Sequence, residues 1–198
     1  MTFAMSGDEP LMACIYLLRH CQTRNSLTGL VSGQTDDEIV NNNGLKLFSS
    51  AARNLALAEV YASPLKRCRQ TVHQLWSEIG FCLPVNWDKR LIERNMGNWE
   101  GKNKLQLANH YNDLFVNKKM NYMHTPPDGE SFPDFYSRVN GFYLEIKKQL
   151  GKNPILICSH NQTLKLIYTL VMQIEIIDIW YSFDFEPGNL FEICLRHN

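Results

Sequence analysis

"CIYLLRHCQT", residues 14–23, decides the fold. Residues 13–18 form a compact apolar run, the pattern of a strand buried on both faces. The run stops abruptly at Arg19 and His20. "PILICSH", residues 154–160, repeats the design: it is apolar through Cys158 and ends at His160. Strands covered on both faces belong to parallel sheets flanked by helices, and the working crevice of such sheets lies at the strands' carboxyl ends. Two strands that end in titratable residues are therefore expected to face each other across a site.

Outward from these strands, apolar runs alternate with helical periods. Leu45, Phe48, Ala52 and Leu55 recur at helical spacing behind Gly44. "VYAS" (60–63) reads as a short strand, and Ser63-Pro64 as the opening of a helix, with serine as cap and proline first in the helix. Leu65, Cys68, Val72, Leu75 and Ile79 line the inner face of that helix, and Gly80 ends it. Phe135, Val139, Phe142, Ile146 and Leu150 mark another helix, stopped by Gly151. "ILIC" (155–158) precedes a helix near 162–172, and "NLFEICL" (189–195) is a final strand. The alternation predicts an α/β fold, a three-layer sandwich with a mainly parallel central sheet, in one domain over residues 1–198. Residues 1–11 read as a flexible lead without the features of a signal peptide. Residues 102–129, polar and rich in Asn and Lys, read as a small inserted lid over one sheet edge.

Bulk composition narrows the function. Lys+Arg and Asp+Glu balance at 20 each, so no net field recruits nucleic acid or an anionic membrane. No window reaches the roughly 18 apolar residues of a membrane-spanning helix. Six cysteines are scattered singly, several in apolar runs, which favours a reducing cytoplasm over a disulfide framework. Cys158-x-His160 and Cys194-x-x-His197 lack the close Cys-x-x-Cys spacing of a zinc site, so no metal is expected. His73, His110, His124 and His197 read as ordinary turn or surface histidines, and Trp76 and Trp180 as core.

Four residues converge under the parallel-sheet reading: Arg19 and His20 after one strand, Arg67 in the first turn of the helix after Ser63-Pro64, and His160 after another strand. They meet at one edge, beside helix N-termini whose free N–H groups favour anions. Arginine presents a permanently charged fork that matches phosphate oxygens in pairs. Histidine serves as nucleophile or proton carrier near neutral pH. These parts suit phosphoryl transfer, where positioning and charge neutralisation supply most of the catalysis. A leaving alkoxide also needs a proton, and Glu93 in "LIERNMGNWEG" (91–101) is the acid placed to give it.

"LLRHCQT" resembles the Arg-His-Gly-x-Thr signature of the histidine phosphatase (phosphoglycerate-mutase-like) superfamily. "YASPLKRCRQT", "LIERNMGNWEG", "PDGES" and "ICSHNQT" resemble its next four blocks, in order, over about residues 14–167. The resemblance implies that His20 is the nucleophile that becomes phosphorylated, and that Arg19, Arg67 and His160 bind the transferring phosphoryl group. It further implies that Glu93 is the proton donor, with no metal or cofactor. Thr23 and Ser26 then sit in the loop lining the phosphate pocket, Asn161 beside it, and Gln22 and Ser131 are weaker neighbours. Cys21 and Asn161 stand where the family has glycines, so Cys21 either crowds the pocket or points into the sheet. Trp99 is expected as a pocket wall and Glu100 as a turn carboxylate.

The segment from Gly101 to Gly129 is shorter than the insertion the resemblance implies for mutases, which favours hydrolysis over return of the phosphate. The expected partner is a small-molecule phosphate ester of the sugar-phosphate, nucleotide or alpha-ribazole phosphate type, met by a monomer or homodimer. Alternatives are mutase-type transfer, a low-activity phosphate-binding protein, and a phosphoprotein phosphatase. Lys102, Lys104, His110, Tyr111, Lys118, Lys119, Tyr122 and His124 make the lid basic and aromatic. They read as a solvated face over aromatic anchors, the alternative being a grip on a second anionic group or a ring.

Overall fold

The computed structural model describes residues 13–40, 45, 57–111, 113–117, 119–150 and 153–195. The lead at 1–11 and the helical period behind Gly44 lie outside these residues, save Leu45, which is buried beside Leu18 and Cys21.

Five strands make the central sheet, in the spatial order β3 (Val85–Trp87), β2 (Glu59–Ala62), β6 (Ile155–Ser159), β1 (Ala13–Arg19), β7 (Leu190–Leu195). All neighbours are parallel except β1 and β7. The apolar runs at 13–18 and 155–158 are thus adjacent central strands. Their alternate side chains feed two separate cores, as a period of two requires. Ile15, Leu17, Ile155 and Ile157 pack with α4 (Phe132–Ile146) and α5 (Asn161–Met172). Leu18, Leu156 and Cys158 pack with α2 (Lys66–Ile79) on the other face. All five residues of β6 are buried, each large aliphatic contributing roughly 1.5–3 kcal/mol of hydrophobic stabilisation. This is the expected three-layer α/β sandwich.

Three local expectations change. Ser63 does not cap α2; the cap position is Leu65, which is extended, and Ser63 Oγ instead faces His160. Burial at the strand end commits that hydroxyl to the site. Trp99 is no pocket wall: it is buried with Val31, Met96, Leu107 and Leu114, its ring 5.5 Å from that of Tyr111. The six cysteines are not all single, because the antiparallel β1–β7 register sets Cys14 opposite Cys194 in a disulfide, with Cα atoms 4.3 Å apart. Their sequence separation of 180 hides this adjacency from any reading of spacing.

A crosslink closing so long a loop restricts the unfolded chain strongly. Reduction with dithiothreitol should therefore lower the unfolding free energy by about 2–4 kcal/mol. Urea unfolding with and without reductant, with Cys14→Ser as the constitutively reduced control, checks this; coincident curves refute it.

The segment expected as a lid, 102–129, holds α3 (Lys104–His110) and a hairpin of β4 (Phe115–Val116) and β5 (Lys119–Met120). It is tied to the loop after α1 (Arg24–Thr28) by the Val31 amide donating to Lys102 O (2.9 Å). A short helix, α6 (Ile176–Trp180), meets it from the other side, where Trp180 Nε1 donates to Met120 O (2.8 Å). No helix among the described residues is long and apolar enough to cross a membrane.

Candidate active site

The β1–β6 register sets Arg19 beside Ser159, so the next residue of each strand, His20 and His160, leaves the sheet at the same edge. The His20 amide donates to Ser159 O (3.0 Å), and the two imidazole centroids lie 5.1 Å apart. Arg19, His20, Arg67 and Glu93 line a cavity of about 240 Å³ under the lid.

His20 is buried, with Nδ1 2.7 Å from Cys21 O. A carbonyl has no hydrogen to give, so this contact requires the proton on Nδ1 and leaves the lone pair on Nε2. Burial, then the charges of Arg67 and Arg19, push the His20 pKa well below its ordinary 6.5. The imidazole is therefore a neutral base at pH 7.

Arg67 is fully enclosed. It donates from Nε to His160 Nδ1 (3.1 Å), from Nη1 to Thr35 O (2.7 Å) and from Nη2 to Gly33 O (2.7 Å). Every partner is neutral, so the charge is oriented but not cancelled, a state that favours an incoming anion. Arg19 donates from Nη1 to Phe185 O (2.6 Å), while its buried Nε has no partner among the described residues. Glu93 accepts from the Arg94 amide (3.1 Å), Thr163 Oγ1 (3.3 Å) and the Gln162 amide (3.3 Å), which seats its carboxylate on the first turn of α5.

His160 is brought to the site but sits behind the cavity wall. Because Arg67 donates to Nδ1, the ring proton lies on Nε2, which donates to Ser63 Oγ (2.8 Å). Burial, then Arg67 and His20, push its pKa well below 6.5. Both histidines are thus neutral when folded, whereas the unfolded chain protonates them near pH 6.5. Below that pH the unfolded state binds more protons, so stability falls as pH drops, by up to about 1.4 kcal/mol per pH unit for each ring. Urea midpoints should be level from pH 7.5 to 7 and fall by pH 5.5; a midpoint that rises on acidification contradicts neutral rings.

The other expected residues divide. Ser26 lines the cavity. Thr23 is buried and forms a reciprocal cap with Ser26 at the start of α1 (3.0 and 3.3 Å). Asn161 lines the cavity and donates to Asp184 Oδ1 (2.8 Å) while accepting from the Phe185 amide (2.9 Å). Gln22 is exposed and Ser131 caps α4, so neither is brought into the cavity wall. Cys21 is fully buried in the core facing α2, its amide donating to Thr71 Oγ1 (2.8 Å). It points away from the cavity and does not crowd it.

Several side chains that complete the site are not legible from spacing. Glu100 is more than a turn carboxylate: Oε1 accepts from the amides of Gln34 (2.7 Å) and Met96 (3.1 Å), fixing the loop whose carbonyls hold Arg67. Gly33 sits at φ 49° against that carboxylate, and a Cβ there would overlap it. Arg138 binds Arg90 O (2.8 Å) and Ile92 O (3.0 Å), with Glu130 as ion-pair partner (2.8 Å), and so fixes the strand of chain leading to Glu93. Lys104, Lys119, Lys165 and Asp184 also line the cavity. Lys165 did carry a sequence signal: within "LKLIYTL" it occupies a helical interior position.

Comparison with known proteins follows this geometry. The profile of the family described as histidine phosphatase superfamily (branch 1) matches residues 15–198. A Hydrogenobacter thermophilus protein with a provisional phosphoserine phosphatase 2 name is 30% identical over 177 residues, covering 85% of this chain and 83% of that one. A 2,3-bisphosphoglycerate-dependent phosphoglycerate mutase of Cytophaga hutchinsonii is 28% identical over 170 residues, covering 83% and 78%. In structure, the alpha-ribazole phosphatase of Shigella flexneri superposes with a TM-score of 0.76 at 23% identity, covering 90% and 89%, a likeness of fold.

Proposed function

Because the chain belongs to the histidine phosphatase superfamily, and is a phosphatase, we propose that it hydrolyses a small phosphomonoester through a phosphohistidine on His20. The observation that carries this is the neutral imidazole of His20, its Nδ1 proton held on Cys21 O and its Nε2 lone pair left for attack beside Arg19 and Arg67.

In the first step Nε2 attacks phosphorus, the ester P–O bond breaks, and Glu93 gives its proton to the departing alkoxide. In the second, water attacks phosphorus, the Glu93 carboxylate takes a water proton, and the P–N bond breaks to return neutral His20. Arg67 and Arg19 neutralise the oxygens that gather charge in both steps. His160 acts from behind, orienting the Arg67 Nε–H, and reaches the phosphoryl group directly only if it releases Arg67 or Ser63. The sequence of steps calls for no metal or cofactor.

Hydrolysis is favoured over mutase-type transfer by the size of the lid, one short helix and a two-residue-per-strand hairpin. The inward packing of Cys21 supports an active pocket over a silent phosphate-binding protein. We read residues 1–198 as one such domain. The buried free thiols Cys21, Cys68 and Cys158 favour a cytoplasmic setting, against which the Cys14–Cys194 bond stands.

Glu93→Gln separates acid catalysis from nucleophilic attack. On an alkyl phosphate such as glycerol 3-phosphate, kcat/KM should fall about 10²–10⁴-fold. On para-nitrophenyl phosphate, whose phenolate leaves without a proton, the loss should be smaller by at least about tenfold. Equal losses on the two esters would remove Glu93 from the role of proton donor.

A further inference from the structure

A cavity of about 240 Å³ has room for roughly eight waters at liquid density, and a phosphoryl group displaces only some of them. The rest of the space has its own chemistry. The cavity is lined by five cationic side chains, Arg19, Arg67, Lys104, Lys119 and Lys165, against two carboxylates, Glu93 and Asp184. A phosphate dianion leaves an excess of positive charge, and beyond the two arginines that charge is carried by the three lysines.

The three lysines reach the cavity from three elements: α3, β5 and α5. Lys165 is buried on α5, with Nζ donating to Trp180 O (2.7 Å) and paired with Asp184 Oδ1 (2.8 Å). An ammonium has three N–H donors, so one remains for a ligand. Lys119 of the lid hairpin pairs with the other oxygen, Asp184 Oδ2. Lys104 makes no ion pair among the described residues, and its pKa is lowered by desolvation and then by Arg19. A structural salt bridge accounts for one lysine against Asp184. It leaves the second and third uncompensated, at a place where burial and Lys119 hold the Lys165 pKa at about 7.

We propose that Lys119 and Lys165 around Asp184, with Lys104 at the mouth, form a second anion subsite, and that the substrate is a small phosphomonoester bearing a carboxylate or a second phosphate. This rests on the phosphomonoesterase reading above and names its substrate class. Asp184 holds the two lysines in place while the subsite is empty and competes with the ligand for them.

The test compares three probes matched in their scissile group: glycerol 3-phosphate without a second anion, 3-phosphoglycerate with a carboxylate, and fructose 1,6-bisphosphate with a second phosphate. Both kcat/KM and Kd by isothermal titration are measured, with para-nitrophenyl phosphate turnover as reference. At least one tailed ester is expected to exceed glycerol 3-phosphate by about tenfold or more, about one partly buried charge contact. Which of the two gains tells carboxylate from phosphate. The advantage should collapse toward one in Lys119→Gln and Lys165→Met. It should grow in Asp184→Asn, which frees both lysines. If Lys165→Met fails to fold, the opposed signs of Lys119→Gln and Asp184→Asn still decide, since loss of a merely structural ion pair would move both variants the same way.

Equal kcat/KM and Kd for all three probes in the wild type overturns the subsite, as does an advantage that survives Lys119→Gln. Preferential binding of a tailed ester without any hydrolysis upholds the subsite and overturns the hydrolase reading. Turnover of para-nitrophenyl phosphate without any preference does the reverse.

Discussion

His20→Ala is expected to lower phosphate release by about 10⁴-fold or more, because removal of a covalent nucleophile leaves only binding and charge stabilisation to accelerate the reaction. The structure gives a specific reason why no neighbour substitutes for it. His160, the other imidazole at this edge, has Nδ1 occupied by Arg67 and Nε2 by Ser63 Oγ. Its lone pair is already taken, and its ring is wholly buried. The assay is para-nitrophenyl phosphate turnover with EDTA present, wild type beside variant, with labelled phosphate trapped on the protein by alkaline quench. Label on the wild type alone, with EDTA-resistant turnover, is the expected outcome. A variant retaining activity within tenfold of wild type, or carrying as much label, would eliminate the phosphohistidine at His20.

Arg67→Lys should lower kcat/KM by about 10²–10³-fold, although it keeps the charge. One ammonium cannot reproduce a fork that spans Gly33 O, Thr35 O and His160 Nδ1 while presenting a face to phosphate. Arg67→Met should be slower still. It should also lose about 2–4 kcal/mol of stability, because it strands three buried acceptors, each costing up to about 1–3 kcal/mol when unpaired and relaxing in part. A separate signature distinguishes this account from general damage. The Arg67 charge contributes to the depressed pKa of both His20 and His160. In Arg67→Met both imidazoles should titrate closer to 6.5, as read from their ring protons by NMR. Unchanged titration would mean that burial alone keeps them neutral.

Most of the candidate site was legible because its members follow features that are local in sequence. Strands buried on both faces announce themselves as continuous apolar runs, and their ends mark the crevice. Arg19, His20 and His160 follow from that alone. Arg67 follows from a helix that begins after a proline, even though Ser63 proved to serve His160 and not the helix. Glu93 is read from its place after an apolar pair and before a Gly-Asn-Trp turn, and the resemblance then gives it the role of proton donor. Glu93 and Glu100, two carboxylates in one loop, divide their work by their partners. Glu93 faces the cavity from the first turn of α5, and Glu100 accepts amides that hold the Arg67 loop.

What the sequence by itself determined is the sheet, its two central strands, the position of the crevice and the residue types at its floor. All of these depend on periodicity and on interactions between near neighbours in the chain. Tertiary structure alone decided the rest: the Cys14–Cys194 pairing across a sequence separation of 180, the proton positions on both imidazoles, the withdrawal of Cys21 into the core, and the pairing of Lys119 and Lys165 with Asp184 in a cavity that Lys104 also lines. The physical reason is common to them. A tautomer is set by which carbonyl or guanidinium lies against the ring, and a lysine becomes part of a site only when another element covers it. Neither condition is written in the spacing of residues along the chain; both arise when α3, β5, α5 and the loop after α6 close over the same cavity.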